Sequence, residues 1–300
     1  MMPWFAKAPA AAILFAMLVG FVVNCGGSSM ETPPSSPHGA DDRIFRIAGG
    51  AGQLRVSDGG AGAGSPVVFV HGLAASLDVW RAQLAFVRSS GRRAVAYDQR
   101  GHGESERAKD GVYSVDALAR DLELVRQHLG SARIALVGHS FSGDVVTAYA
   151  AAHPEHVAGI VYADTDGDFG VLSREAREKE VAAAASNSPA QWKAEWEHAL
   201  GPHARPATRQ LVLGALERVD PRALAALRAD NVFFPSRERA ARYAGPRWAI
   251  ETDAPGAEFR AAALDPSIRL VTMRGVSHWL MLDDPAAFDA ALGQALATMP

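Results

Sequence analysis

Short runs, apolar at most positions, recur along the chain at residues 66–70, 94–97, 134–137, 159–163, 248–250 and 268–273. A strand covered on both faces must be apolar at most positions, so these runs predict the inner strands of a parallel sheet. Between most of them lie segments with apolar residues at helical spacing, 77–87, 115–129, 145–152 and 286–296. Strand and helix alternate, which predicts an α/β fold with helices on both faces of the sheet. Two earlier segments, 44–47 and 53–57, alternate apolar and polar side chains instead. They predict half-exposed antiparallel strands at one edge. The alternation stops between residues 167 and 245, a stretch rich in Ala, Arg and Glu that contains Trp192 and Trp196 but no buried-strand run. An all-helical insertion after the sixth strand, acting as a lid, fits this best.

The first part of the chain is of a different kind. Lys7 precedes an apolar stretch over residues 10–23, short for a membrane span and suited to the core of an export signal. Cys25, the only cysteine, ends that stretch and is followed by Gly26, Gly27, Ser28 and Ser29 and then by Pro33, Pro34 and Pro37. An apolar segment, a cysteine and a flexible tether resemble a bacterial lipoprotein signal, which implies lipidation at Cys25 and a membrane tether. Asn24 departs from that pattern, where a smaller residue is usual; an uncleaved anchor helix is the alternative. The expected division is a signal over 1–25, a flexible linker over 26–42 and a domain over 43–300. The expected place is the cell envelope, lipid-anchored or else periplasmic or secreted. A single cysteine excludes an intrachain disulfide.

With 300 residues and 48% hydrophobic content, the chain can bury a large core. A net charge of −3 with mixed signs leaves no basic footprint for nucleic acid, and a small-molecule partner is expected. The glycine-rich run at 59–64 lacks the Lys-Ser/Thr and helix start of a phosphate loop. It reads as a plain loop.

The segment Val137-Gly138-His139-Ser140-Phe141-Ser142-Gly143 sets a serine among small residues, between an apolar run and a helical one. A strand that turns at once into a helix must squeeze its backbone at Ser140, and the hydroxyl is then held out at the strand tip. This resembles the nucleophile elbow of the α/β-hydrolase family, with Ser142 where that pattern has glycine and Gly143 directly after. The resemblance covers most of the domain and implies the α/β-hydrolase fold with a helical cap.

A serine hydroxyl needs a base, and histidine has a suitable pKa. His278, in Gly275-Val276-Ser277-His278-Trp279 after the last apolar run, falls at the carboxyl edge of the sheet, on the rim expected for Ser140. The resemblance places its catalytic histidine there. The other histidines have plainer readings: His71 in a turn, His102 in a loop that braces the site in many relatives, His139 as the variable residue of the elbow, and the rest on surfaces or helices. By resemblance, the backbone N–H groups of Leu73 and Phe141 would hold the oxyanion.

The orienting acid has two candidates. Most relatives place it past the seventh strand, where Pro255 occupies the usual slot and Asp253 lies two positions early. A dehalogenase-like branch of the family keeps its acid at the end of the sixth strand, where Asp164 stands. Asp164 is the first choice and Asp253 the alternative. No His-Glu-x-x-His run or Cys-His cluster occurs, and no metal or cofactor is expected. The expected activity is hydrolysis of carboxylic esters through an acyl-enzyme on Ser140. Alternatives are cleavage of amides or carbon–carbon bonds, cofactor-free perhydrolysis, or ligand binding without catalysis. Trp192, Trp196, Phe169, Phe233 and Phe234 are candidate walls of an apolar substrate pocket.

Overall fold

The computed structural model describes residues 43–62, 64–254 and 256–300. The expected signal, linker and Cys25 lie outside these residues, as does Pro255. Among the described residues no helix is long and apolar enough to cross a membrane.

Eight strands form one sheet: β1 (Arg43–Ala48), β2 (Gln53–Gly59), β3 (Val67–Val70), β4 (Ala94–Tyr97), β5 (Ile134–His139), β6 (Val157–Ala163), β7 (Arg247–Thr252) and β8 (Arg269–Met273). Their order is β1-β2-β4-β3-β5-β6-β7-β8. The pairs β1–β2 and β2–β4 are antiparallel, and every later pair is parallel. Residues of β3, β4, β5 and β6 are buried throughout, which is why these strands read as unbroken apolar runs. On β1 burial alternates with exposure, as its mixed pattern requires.

The helices that cover the sheet are α1 (Arg81–Ser89), α2 (Val115–Leu129), α3 (Ser142–Ala152) and α10 (Pro285–Leu296). Local chemistry sets their ends. Ser114 caps α2 by accepting from the Ala117 N–H, and Gly130 closes it in the left-handed region, which costs glycine little. The helix expected from Leu77 starts as a 3-10 turn, Leu77–Trp80; there the Leu77 N–H donates to Asp98 Oδ1 at 2.7 Å, and a tighter turn at a helix entrance is common. A short α9 (Leu280–Asp283) precedes α10.

Between β6 and β7 the chain forms α4 (Arg174–Ser186), α5 (Pro189–Leu200), α6 (Pro206–Leu216), α7 (Pro221–Phe233) and α8 (Ser236–Ala240). Proline in the first turn starts α5, α6 and α7, and Ser173, Ser188 and Asp220 cap α4, α5 and α7, so this segment is punctuated in sequence by start signals. Carboxylates fasten it to the sheet domain. Asp144 on α3 accepts from Asn231 Nδ2 at 2.8 Å and Ser236 Oγ at 2.7 Å. Asp283 accepts from the Arg205 N–H at 3.0 Å and Thr208 Oγ1 at 2.8 Å, and Tyr113 donates to Asp220 at 2.7 Å.

Candidate active site

Strand β3 lies between β4 and β5, so the chain reverses its direction of travel across the sheet there. In open α/β sheets a crevice forms at such a point, outside the carboxyl ends of the strands. A cavity lies there, lined by Leu73, Ser140, Phe141, Asp164, Asp166 and His278 among others.

Three non-glycine residues among those described have left-handed backbone: Ala74 (φ 54°), Ser140 (φ 54°) and Asp164 (φ 44°). They follow β3, β5 and β6, the three strands that end beneath the cavity. Such backbone costs on the order of 1–3 kcal/mol per residue and persists only where the surroundings enforce it. At Ser140 the enforcement is visible. Its N–H donates to the Ala163 carbonyl at 3.1 Å, and its own carbonyl accepts from the Gly143 N–H at 2.9 Å. A Cβ on Gly138 would stand 2.7 Å from the Ser142 carbonyl oxygen, and one on Gly143 would stand 2.6 Å from Thr165 Cβ. The strand and helix meet too closely for any larger residue.

Ser142 has a further part. Its hydroxyl donates to the His71 carbonyl at 2.5 Å and accepts from Gln99 Nε2 at 3.2 Å. The elbow is thereby tied to the end of β3 and to the loop after β4. Gly72 lets the two backbones approach, since a Cβ there would lie 2.8 Å from His139 Nδ1 and 3.0 Å from Ser140 Cβ.

His278 Nδ1 lies 2.7 Å from Asp164 Oδ2, a short bond that fixes the imidazole tautomer with its proton on Nδ1 and leaves Nε2 for other work. The second carboxylate oxygen accepts from the Thr252 N–H at 2.8 Å, Thr252 Oγ1 at 3.1 Å and Arg260 Nη1 at 2.7 Å. Burial pushes the Asp164 carboxyl up, and the His278 bond with the charges of His278 and Arg260 outweighs it, holding the group below the ordinary carboxylate range. Asp253 is exposed and lines a different depression, with His198 and His203.

His139 holds the histidine loop. Its Nε2 lies 2.9 Å from the His278 carbonyl oxygen, and the two rings are 4.7 Å apart. Burial, then the neighbouring His278 charge, pushes its pKa down to about 3, so it donates to that carbonyl as a neutral ring. The acidic residue after the histidine does similar duty: Ser277 donates to Asp283 through its N–H at 2.8 Å and its hydroxyl at 2.5 Å. Asp283 therefore joins the histidine loop to α6. His71 and His102 sit behind the site with rings 5.2 Å apart, and burial brings their pKa values down to about 4 and about 3.

The N–H groups of Leu73 and Phe141 have no acceptor among the described residues, although both residues are buried and line the cavity. Two unengaged N–H groups beside a strained serine can stabilise negative charge that develops on an oxygen there.

The opposite wall corrects the aromatic expectation. Of the five aromatics proposed from sequence, Trp196 lines the cavity, together with Phe259 and Trp279. Trp192 faces a separate groove between α5, α6 and α7, Phe233 is 42% exposed under the Arg177 guanidinium, Phe234 is buried under the Arg239 guanidinium away from the cavity lining, and Phe169 packs with Val232 in a minor cluster. Sequence reasoning missed Arg228, Arg260, Asp166 and Phe259, which no motif marks. The one group of His, Asp and Glu side chains among the described residues placed to share a metal ion, His153, Glu155 and His156, lies at the opposite end of α3 from Ser140.

A family model described as the alpha/beta hydrolase fold matches residues 65–248. The chain belongs to this family. As an α/β-hydrolase family member it is similar to the non-heme haloperoxidase of Rhodococcus erythropolis, 41% identical over 92 residues that cover 31% of this chain and 33% of that protein. It is also similar to a bifunctional esterase/perhydrolase of Acinetobacter calcoaceticus, 42% identical over 91 residues, 30% of this chain and 33% of that one. The matched segments span about a third of these relatives' length. Among solved structures, a thermophilic esterase from Thermogutta terrifontis superposes with a TM-score of 0.72 at 23% identity, covering 85% of this chain and 98% of that one. That likeness concerns the fold.

Proposed function

We propose that this α/β-hydrolase family member hydrolyses short carboxylic esters through an acyl-enzyme on Ser140. His278 would act as general base and acid, Asp164 would orient it, and the Leu73 and Phe141 N–H groups would hold the oxyanion. The observation that carries this reading is the His278–Asp164 bond of 2.7 Å beside a cavity that also receives the strained Ser140. The esterase activity named for one relative and one solved structure supports it.

The chemistry runs in two halves. Ser140 Oγ attacks the ester carbonyl carbon while its proton passes to His278 Nε2, the nitrogen that Asp164 leaves available. The Asp164 carboxylate stabilises the imidazolium, and negative charge on the carbonyl oxygen falls to the two backbone donors. The intermediate expels the alcohol, which takes the proton from His278, and the acyl group remains on Ser140. A water then attacks that acyl carbon, gives its proton to Nε2, and leaves as part of the acid when Ser140 regains its hydrogen.

The cavity is small. Its volume is about 50 Å³, room for a few waters, and Trp196, Phe259 and Trp279 wall it. Short acyl or alcohol groups match it.

Hydrolysis of p-nitrophenyl acetate and butyrate by the wild type and by Ser140→Ala tests the reading. The substitution is expected to lower kcat by at least about 1000-fold, since the nucleophile acts as a unit with its base. Equal hydrolysis by both proteins rejects it.

We also infer export with lipidation at Cys25, supported by the Lys7, 10–23 and Cys25 pattern alone. Metabolic labelling with a fatty-acid analogue should mark the wild type and spare Cys25→Ala. An unlabelled wild type rejects the tether.

A further inference from the structure

The cavity holds one carboxyl that this reaction leaves unused. Asp166 lies two residues past Asp164 and lines the cavity with Ser140 and His278. Its backbone pairs with that of Arg260 in an isolated bridge, which fixes where the side chain leaves the chain. Asp164 is surrounded by donors from His278, Thr252 and Arg260. The Asp166 carboxyl, by contrast, receives no hydrogen bond and forms no ion pair among the described residues. The nearby cations have partners of their own: Arg260 binds Asp164 at 2.7 Å, and Arg228 reaches Glu180 at 3.2 Å. Burial pushes the Asp166 carboxyl above its ordinary range, against the pull of Arg228 and His278.

Asp166 is half-buried and faces the cavity, so a ligand that displaces water from its carboxyl without donating to it loses about 1–3 kcal/mol. A ligand donor can complete such a group, and the walls around this one combine Trp196, Phe259 and Trp279 with the polar side chains of Thr165, Arg228 and Arg260. The flanking guanidiniums of Arg228 and Arg260 oppose an ammonium ion at this place, which leaves a neutral donor. We propose that Asp166 accepts a hydrogen bond from the substrate, so that the site selects short esters carrying a hydroxyl or amide N–H over their plain alkyl counterparts. This specificity rests on the hydrolase reading of the same cavity.

The test compares kcat/KM within isosteric pairs: ethyl lactate against ethyl 2-methylpropanoate, ethyl 3-hydroxybutanoate against ethyl 3-methylbutanoate, and N-acetylglycine ethyl ester against ethyl 4-oxopentanoate. At least one donor-bearing member should be favoured about tenfold or more by the wild type, because a site that leaves a buried acceptor unpaired discriminates against the isostere. Asp166→Leu should bring that ratio close to one, and Asp166→Asn, which keeps an acceptor oxygen, should retain part of it. Reading the ratio within each variant cancels a general loss of activity. No preference in any pair, or a ratio unchanged in Asp166→Leu, overturns the inference. If plain esters are then still cleaved in a Ser140-dependent manner, the hydrolase reading stands without it.

Should no ester be cleaved, the hydrolase reading fails and binding decides the rest. Thermal shifts of Ser140→Ala with each pair should favour the donor-bearing member, and Ser140→Ala combined with Asp166→Leu should lose the difference. Equal shifts, or none, overturn the inference.

Discussion

The sheet rim and the helical segment between β6 and β7 face the same cavity but are held by different means. At the rim, Ser140 and Asp164 sit at the tips of β5 and β6, strands buried along their whole length, and their backbones are bent into the left-handed region. Moving either residue requires breaking the sheet. The helical segment brings Trp196 on α5 and Arg228 on α7 to the cavity, and its helices are less completely buried than the strands: α4 has one buried residue, Ala184, and α5 has four. Apolar packing of residues such as Trp196, Leu200 and Leu227 on the common core and side-chain bonds to Asp144, Asp283 and Asp220 hold it down. The rim is thus suited to fixing reacting atoms, and the helical segment to setting which molecules reach them. The comparison can be broken at either side.

The largest effect is expected at the rim. Asp164→Asn removes the carboxylate that His278 and Arg260 share, and should lower kcat by on the order of 10²–10⁴ while the protein stays folded. Asp253→Asn, on an exposed residue in another depression, should change it less than about twofold, within the range of a distant surface substitution. The reverse order would move the orienting acid to the end of β7.

A smaller effect belongs to the fastening of the helical segment. Asp144→Ala leaves the Asn231 amide and the Ser236 hydroxyl without their buried acceptor, at a cost of about 1–3 kcal/mol. Because the bond joins α3 to α7 and α8, the loss should appear as a lower Tm and a higher KM, with kcat changed less. A kcat loss matching that of Asp164→Asn would mean that the helical segment also positions the reacting groups.

This difference in construction also explains what the sequence makes legible. Strands buried on both faces cannot hide, and all eight were marked by apolar runs or by alternation, although β8, expected inside the sheet, is its exposed far edge. Ser140 could be located because a tight strand-to-helix turn demands small neighbours, and His278 because its loop follows the last strand. Asp164 had only its place at a strand end to recommend it. Arg260, which meets Asp164 from 96 positions away, left no local trace, because a buried ion pair imposes no spacing on the chain. Ser142 looked like a gap in the elbow pattern, yet its hydroxyl binds the His71 carbonyl. The aromatics of the helical segment misled for a related reason: helical spacing says that a side chain is buried, but not which cavity it faces.

The smallest expected effect again separates the two regions. Three histidines packed beneath the rim, His71, His102 and His139, are held neutral by burial, at about 4, about 3 and about 3 against an ordinary 6.5. The unfolded chain takes up their protons first as pH falls below 6.5, so the folded state loses stability on acidification. Each contributes about 0.7 kcal/mol between pH 7 and pH 6 and approaches about 1.4 kcal/mol per unit below that. Buried carboxyls act in the opposite sense: burial raises Asp98 and lifts Asp144 well above its usual value, and these groups take up protons in the folded state first. The two contributions overlap in the wild type, so the decisive quantity is a difference. His102→Gln keeps the carboxyls and removes one proton site; it should be less stable than the wild type at pH 7, with a Tm that falls less steeply from pH 7 to pH 5. His198→Gln and His203→Gln, on exposed positions of the helical segment, should follow the wild-type curve. A His102→Gln curve parallel to that of the wild type would show that the rim carries no such proton-linked penalty, and the contrast between the two regions would then rest on geometry alone.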